Sequence, residues 1–314
     1  MFSLVKSSLL FVFTIFFSCI NKNSVLSEVK QLPHYPSASG VEYFRKHFFI
    51  IGDDAKYVLI LDSNLTTVDS IALYSFPGQK IPKNIKPDLE AIALIRDRDK
   101  SRLFIPGSGS ISPYREMAWL IDPLTKQKDS IRLDTFYRRL KAKDVQELNI
   151  EGACSIPGAF VFSNRGSKGY PKNHLVLTKQ EFWKDQTHAP ITLIHMGATE
   201  DSTVFNGISG LVYSAKSDQL LLTVTTEDTK NSLEDGTIGK SYLWIVKNIS
   251  GKRGWKGINP NRMIDLEKVD QRFKGQKIES VCITNETKKI LHLVLAADND
   301  NGSSTLFRLV VEKD

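Results

Sequence analysis

The segment Asn149–Ser155 has the sequence N-I-E-G-A-C-S, and variants of it recur along the 314-residue chain. In each variant a hydrophobic residue precedes Glu or a small polar residue, and small and apolar residues follow. The other copies are Gly40–Phe44 (G-V-E-Y-F), Asp88–Leu94 (D-L-E-A-I-A-L), Gly207–Tyr213 (G-I-S-G-L-V-Y) and Lys277–Ile283 (K-I-E-S-V-C-I). The aligned polar residues are Glu42, Glu90, Glu151, Ser209 and Glu279, at steps of 48, 61, 58 and 70 residues. A unit that recurs at intervals of about 40–60 residues is typical of a propeller or another repeat array.

Each copy opens a group of short β-rich runs separated by turn residues. The first group is the clearest, with runs at Gly40–Phe44, His47–Gly52, Tyr57–Asp62 and Thr67–Leu73. A four-stranded meander of this kind is one propeller blade. A charged stretch with helical spacing, Asp134–Glu147, predicts a short helix between the second and third blades.

The fifth group ends one strand short, whereas Ser24–Leu32 is a strand without a blade of its own. An N-terminal strand that completes the last blade closes the ring and removes exposed sheet edges. The sequence therefore predicts an all-β propeller of five four-stranded blades, closed by this strand, within a single domain at 24–314. Six blades remain the alternative if residues 247–277 contain degenerate strands.

The N-terminus has the pattern of a targeting segment. Lys6 precedes an apolar run, Leu9–Phe17, which is shorter than the about 20 residues needed to span a bilayer. Because Cys19 and polar residues follow, residues 1–18 resemble a bacterial lipoprotein signal peptide that leaves Cys19 as the lipid-modified first residue. Residues 19–23 would be a tether, and we expect a lipid-anchored protein of the bacterial cell envelope. A plain secretory signal with an incidental cysteine is the alternative.

Composition excludes some classes of protein. The chain is 41% apolar and 10% aromatic, and its net charge of +7 is spread rather than clustered, which does not favour nucleic-acid binding. We expect a monomer. Cys154 and Cys282 occupy equivalent places in non-adjacent repeats, too far apart for a disulfide, and we expect both to be buried small hydrophobes.

The repeated glutamates predict an acidic site at one end of the channel. The first strand of each blade lines the channel, and the loop after the second strand returns to the end where the first began. We therefore expect the glutamates to meet the loop residues there; those residues are Asp53, Asn164, Arg165, Asp228 and Asp298.

Crowded carboxylates repel one another unless they are protonated or bridged by a cation. Oxygen donors suit Ca²⁺, so the predicted metal ligands are Glu42, Glu90, Glu151, Asp228, Asp298 and Glu279. Arg165 could hold an anionic substrate, with Asn164 and Glu227 beside it. The alternative is that each Glu bonds backbone amides and only fixes the ring.

Known catalytic motifs are absent from the sequence. It contains no nucleophile elbow, P-loop, zinc-protease or dinucleotide-binding motif. Ser108, in Gly107-Ser108-Gly109, is more simply a turn residue than a nucleophile.

The segments D-L-E-A-I-A, N-I-E-G-A with S-N-R-G, G-I-S-G-L-V-Y and T-T-E-D-T-K-N-S-L-E-D-G carry a family resemblance. From about Pro36 to Val311 the chain resembles a family of secreted or lipid-anchored bacterial proteins of unknown function. That family is common in the Bacteroidetes and is distantly similar to phytase-like and SdiA-regulated propellers. The resemblance implies a β-propeller and a calcium-dependent phosphoesterase or esterase-like activity. The residues that match its recurrent positions are Glu90, Glu151, Asn164, Arg165, Glu227, Asp228 and Asp235.

Two hypotheses follow. In the first, an envelope lipoprotein binds Ca²⁺ at its carboxylate rim and binds or hydrolyses a small anionic ligand there. In the second, the propeller is a non-enzymatic binding protein or scaffold whose glutamates are structural.

Overall fold

The computed structural model describes residues 24–78, 81–197, 205–227 and 238–313. Twenty-one strands in these residues form five sheets, each built on a four-stranded antiparallel meander. The sheets are the blades of a ring, so the prediction of a five-bladed all-β propeller is confirmed.

The N-terminal strand closes the ring as predicted. It is β1 (Ser24–Leu32), which becomes the outermost strand of the last blade. Blade one then contains β2 (Ala38–Phe44), β3 (His47–Gly52), β4 (Tyr57–Leu61) and β5 (Thr67–Ala72). Blade two contains β6 (Ala93–Asp97), β7 (Lys100–Pro106), β8 (Met117–Ile121) and β9 (Lys128–Arg132).

A helix joins blades two and three, as the sequence predicts. It is α1 (Asp134–Lys141), which buries Phe136, Tyr137 and Leu140. Blade three contains β10 (Ile150–Ile156), β11 (Ala159–Asn164), β12 (Asn173–Thr178) and β13 (Thr192–Met196), with a 3-10 turn at Phe182–Lys184.

Blades four and five complete the ring. Blade four contains β14 (Asn206–Ser214), β15 (Gln219–Glu227), β16 (Ile238–Lys247) and β18 (Arg262–Asp265). A 3-10 turn (Ile249–Lys252) and the short β17 (Gly257–Ile258) lie between β16 and β18 in the chain. A short helix, α2 (Leu266–Val269), and a 3-10 turn (Gln271–Phe273) lead to blade five, which contains β19 (Lys277–Glu286), β20 (Ile290–Asp298), β21 (Ser304–Glu312) and β1.

The region that could have held a sixth blade serves blades three and four. β17 adds two residues to the edge of blade three, in parallel with β13, and β18 pairs with β16. Within the described ranges, residues 247–277 therefore supply edge strands and no additional blade.

The hydrophobic core lies between the blades. Five buried clusters fill the five interfaces between neighbouring sheets, including the one between blades five and one. Because side chains alternate along a strand, one strand can contribute to two clusters. On β3, Phe48 and Ile50 face blade five, whereas Phe49 and Ile51 face blade two.

The two cysteines belong to this core. Cys154 lies in the cluster between blades three and four and Cys282 in the one between blades five and one, and both are free thiols. The prediction that they are buried and unbridged is confirmed. No helix in the described part of the chain has the length and apolar character to cross a membrane.

Candidate functional site

One residue near the start of each inner strand is left out of the strand pairing. In blades one, three, four and five a β-bulge skips Ser39, Glu151, Ser209 and Glu279. In blade two Leu89 pairs with Gly107, and regular pairing begins at Ala93 opposite Phe104, which leaves the same one-residue excess after Leu89. A bulge re-aims a side chain away from the regular sheet faces. We refer to the channel end that carries these five bulge residues as the mouth.

This register corrects the alignment of the first repeat. The position equivalent to Glu151 is Ser39 and not Glu42, which lies three residues further along β2. The Glu42 carboxylate accepts hydrogen bonds from the backbone amides of Tyr43 and Leu94, both at 2.9 Å. Burial raises its pKa to about 6. Glu42 therefore ties blade one to blade two below the mouth, and it is the one repeat glutamate that has the structural role considered as the alternative.

The two serines at the bulge position also join neighbouring blades. Ser39 Oγ donates to the carbonyl of Leu89 at 2.5 Å, and Ser209 Oγ donates to the carbonyl of Ile278 at 2.6 Å. Each acceptor directly precedes the bulge residue of the next blade. Each of these two serine hydroxyl groups therefore has a hydrogen-bond partner in the next blade.

The three bulge glutamates have different partners. Glu151 is 7% exposed and accepts a 2.6 Å hydrogen bond from Asn149 Nδ2. Glu279 is 4% exposed and lies 3.1 Å from Lys277 Nζ. For Glu90, the described residues provide no hydrogen bond to its carboxyl group. Glu90 is therefore the mouth glutamate with the most open oxygens.

A cluster of charges adjoins Glu90. Carboxylate oxygens of Asp53, Asp88 and Glu90 all lie within 4.8 Å of one another. Lys86 contacts Asp53 directly and lies 3.3 Å from Asp54 Oδ1 and 3.2 Å from Asp88 Oδ1. The Lys86 ammonium thus supplies a positive charge that this cluster requires.

Asp88 organises the loop that forms this side of the mouth. Its Oδ2 atom accepts 2.5 Å hydrogen bonds from Arg115 Nη1 and Ser108 Oγ. Arg115 also donates to Ser110 Oγ at 2.7 Å. Ser108 is fully buried, which supports its interpretation as a turn residue rather than a nucleophile.

Burial is the main cause of the raised pKa values of the mouth acids. Burial raises the pKa of Glu90 well above its usual range, and the carboxylates of Asp53, Glu151 and Asp88 raise it further. Burial raises the pKa of Glu151 to about 8, against the opposing charge of Arg165. Burial likewise raises the pKa of Asp298 to about 7 and that of Asp53 to about 6. Protons therefore neutralise part of the cluster near neutral pH.

The other predicted site residues divide into three groups. Asp298 reaches the mouth, where its strand position pairs with that of Lys277 and the charge of Asp53 acts on it. Asn164 is fully buried, and its amide accepts from Asn149 N at 2.7 Å and donates to Glu147 O at 3.0 Å. These bonds fix the start of β10. The Glu227 side chain, Asp228, Asp235 and Cys19 lie outside the described residues.

Arg165 is held rigidly beside Glu151. It is 6% exposed, its Nη1 donates to Thr225 Oγ1 at 3.1 Å, and its charge lowers the pKa of Glu151. A Cβ at Gly207 would come within 2.5 Å of Arg165 Nε, so only glycine leaves room for the guanidinium there. Arg165 thus provides a fixed positive charge close to the mouth.

Lys86, Asp88, Arg115 and Lys277 were missed by the sequence reasoning. A signal for two of them was present, because Asp88 and Lys277 each stand two residues before a bulge glutamate, in D-L-E and K-I-E. Residues two apart in an extended segment share a face. Lys86 and Arg115 lie in connecting segments whose paths no local pattern determines.

Taken together, seven acidic side chains gather around the mouth with four basic ones. The acids are Asp53, Asp54, Asp88, Glu90, Glu151, Glu279 and Asp298, and the bases are Lys86, Arg115, Arg165 and Lys277. Such a site can bind a cation, hold a ligand's ammonium group or exchange protons at neutral pH.

Comparison with known proteins gives the family and supports the fold. The model of a family of unknown function, DUF6929, matches residues 34–311, and the chain belongs to this family. The crystal structure of glutaminyl cyclase from Myxococcus xanthus is similar, with a TM-score of 0.52 and 11% identity over 93% of this chain and 97% of that protein. At this identity the similarity shows the fold alone.

Two further solved structures have lower similarity. A Bacteroides fragilis protein described as exported has a TM-score of 0.42 and 8% identity, over 92% of this chain and 94% of that one. The β-propeller domain of Cps50 (Swd1) from Myceliophteria thermophila has a TM-score of 0.37 and 12% identity, over 85% of this chain and 66% of that one. No curated protein matches the chain.

Proposed function

We propose that this DUF6929 protein binds a divalent cation at the mouth of its channel, and that calcium is the ion. The observation that carries the proposal is the convergence of Asp53, Asp88 and Glu90, whose carboxylate oxygens lie within 4.8 Å of one another. Carboxylate oxygens are the donors that Ca²⁺ prefers.

The free oxygens of this cluster fit a cation. Asp53 Oδ1 is buried and has no hydrogen-bond partner among the described residues. The Glu90 carboxyl group likewise has no hydrogen bond within them. An unsatisfied buried oxygen costs about 1–3 kcal/mol, and a cation between these two groups would remove that cost. Asp88, whose oxygens already bond Lys86, Arg115 and Ser108, would act mainly by its charge.

A bound cation would give the mouth a Lewis-acid site for an anionic ligand. Arg165 stands beside Glu151 as a fixed second positive charge. These two positive charges would attract a small anionic ligand. The phytase-like resemblance indicates that this ligand is a phosphoester or a carboxylic ester. In this proposal the protein binds or hydrolyses that ligand at the mouth.

Calorimetry tests the cation site. Calcium chloride is titrated into the chain from Ser24 onwards, prepared free of metal, and into the Glu90→Gln variant. We expect saturable binding in the parent and at least a 30-fold weaker affinity in the variant. Glu42→Gln is the matched control, because it makes the same change in the same channel at a carboxylate already bonded to two backbone amides. Absence of binding in the parent would favour a scaffold or a protein-binding propeller instead.

One observation favours a second function, in which the mouth transfers protons. Burial places the pKa of Glu151 at about 8, close to neutral pH, where a carboxyl group can both give and take a proton. An activity of this kind would show a pH profile that changes on Glu151→Gln and would need no added calcium. Loss of activity on chelation would exclude it.

We also propose that the protein is anchored in the bacterial cell envelope through a lipid on Cys19. The support is the sequence pattern of Lys6, Leu9–Phe17 and Cys19. Such an anchor would place the propeller at a membrane surface, with residues 19–23 as its tether.

A further inference from the structure

Two histidines face each other on the outer half of blade three. His174 on β12 and His195 on β13 are directly opposite in the antiparallel pairing. Their ring centroids are 5.9 Å apart and their planes meet at 83°. His174 is 5% exposed, whereas His195 is half-buried.

Each ring has a nitrogen with no partner. His174 Nδ1 and His195 Nε2 are buried and have no hydrogen bond within the described part of the chain. A buried nitrogen of this kind is destabilising unless something occupies it. On His195, Nε2 is the open position.

The surroundings keep both rings in the form that binds metals. Burial and the neighbouring His195 lower the pKa of His174 to about 4, and burial and Lys172 lower that of His195. Both rings are therefore uncharged at neutral pH, as a metal-binding imidazole must be. Asp144 is the nearby acid whose charge acts on His174. It is exposed and lies in the connection between α1 and β10.

We propose that His174 and His195 form a second cation site, selective for a transition metal such as Zn²⁺, Co²⁺, Ni²⁺ or Cu²⁺. The two open nitrogens are its ligands. Imidazole suits these ions and does not suit Ca²⁺, so this site and the mouth differ in chemistry.

The geometry of the sheet permits this arrangement. Opposite residues of an antiparallel pair have Cβ atoms about 5 Å apart. Two nitrogens that each lie about 2.0 Å from one tetrahedral zinc are about 3.3 Å from each other. Side-chain rotation in a pair of opposite residues can bring two ring nitrogens to that distance. The backbone pairing that holds the two residues together extends from Asn173–Met196 to Leu177–Thr192, so the pair is part of a rigid sheet.

The test is a titration of untagged, metal-free protein with Co²⁺, followed by its visible absorption. We expect one saturable equivalent, displaced by Zn²⁺ and not by a hundredfold excess of Ca²⁺. His174→Gln and His195→Gln should each weaken the affinity at least 100-fold. His188→Gln is the matched control, because His188 lies on the same blade, is exposed and bonds Asp185. It should bind like the parent.

Because His174 lies in the core, a second measurement uses the unaltered protein. The electron paramagnetic resonance spectrum of one bound equivalent of Cu²⁺ should show coupling to two imidazole nitrogens. A spectrum without nitrogen coupling, or Co²⁺ binding that is unchanged in the double variant His174→Gln/His195→Gln, would overturn the proposal. Calcium binding at the mouth is unaffected by either result.

Discussion

The Nζ atom of Lys86 lies 3.2 Å from Oδ1 of Asp88, so an ammonium group stands among the carboxylates of the channel mouth. Lys86 is 7% exposed and also contacts Asp53 and Asp54. It neutralises part of the cluster but leaves Asp53 Oδ1 and Glu90 without hydrogen-bond partners in the described residues. The mouth is thus an acidic site that is partly compensated by the protein's own cation.

Replacing Lys86 with Met tests this compensation. The variant keeps a side chain of similar length but removes the counter-charge of three carboxylates. Breaking a buried ion pair costs about 3 kcal/mol, so we expect that loss in the free energy of unfolding, measured in urea with a chelator present. Millimolar calcium should restore at least half of it. Lys240→Met, which removes an exposed ion pair with Asp265, should leave stability close to that of the parent. A loss that calcium does not reverse would contradict the cation site.

Glu151 should make stability depend on pH. Its pKa is about 8 in the folded protein, against a usual value of 4.5. The folded state therefore holds a proton that the unfolded chain releases, so the contribution of Glu151 to stability is most favourable below about pH 4.5 and becomes less favourable as pH rises towards 8. Glu151→Gln removes this dependence, and we expect it to be several kcal/mol more stable than the parent at pH 8.5 but not at pH 4.5. Parallel pH profiles of the two proteins in urea unfolding would show the prediction to be wrong.

Ser39 and Glu90 occupy the same bulge position in neighbouring blades, but we expect Ser39 to contribute to stability and Glu90 to bind the cation. Ser39 Oγ donates to the Leu89 carbonyl at a site that is 3% exposed. Ser39→Ala leaves that bond unmade, and we expect a loss of about 1–2 kcal/mol in the free energy of unfolding with no change in calcium affinity. Ser209→Ala, which removes the equivalent bond to Ile278, should behave alike. A change in calcium affinity without a change in stability would reverse this assignment.

If Cys19 carries a lipid, the protein should partition into detergent rather than into water. With Cys19 intact, the mature protein should enter the detergent phase of a cloud-point extraction. Cys19→Ser should shift it to the aqueous phase, because the side chain that carries the lipid is gone. Mass spectrometry of the N-terminal peptide provides the direct check. An unmodified Cys19 in the mature protein, or cleavage elsewhere, would leave the plain secretory signal as the explanation.

The blade count could be predicted from the sequence because the inner strand repeats a recognisable unit. Strand β1 without a blade and the short fifth group predicted the closure. The alignment of Glu42 failed because V-E-Y matches the pattern of a hydrophobic residue before Glu. The true equivalent, A-S-G, is defined by a bulge that no local pattern in the sequence marks.

The sequence indicated which acidic residues lie at the same end of the channel, but not the basic residues that accompany them. Glu90, Glu151, Glu279, Asp53 and Asp298 share one end of the channel because strand direction determines that end. Lys86 and Arg115 reach it through connecting segments, and Asn164 is turned inwards by hydrogen bonds with Asn149 and Glu147. Those contacts depend on tertiary structure and have no counterpart in residue spacing.

The most direct test of the calcium site is to locate the ion. Crystals of the chain from Ser24 onwards, grown with calcium and then soaked with terbium as its substitute, give an anomalous diffraction signal at each bound ion. We predict one strong peak at the mouth, about 2.4 Å from oxygens of Asp53 and Glu90, that is absent from crystals of Glu90→Gln. Crystals that bind terbium only at the outer surface, with no peak among the mouth carboxylates, would contradict the central claim.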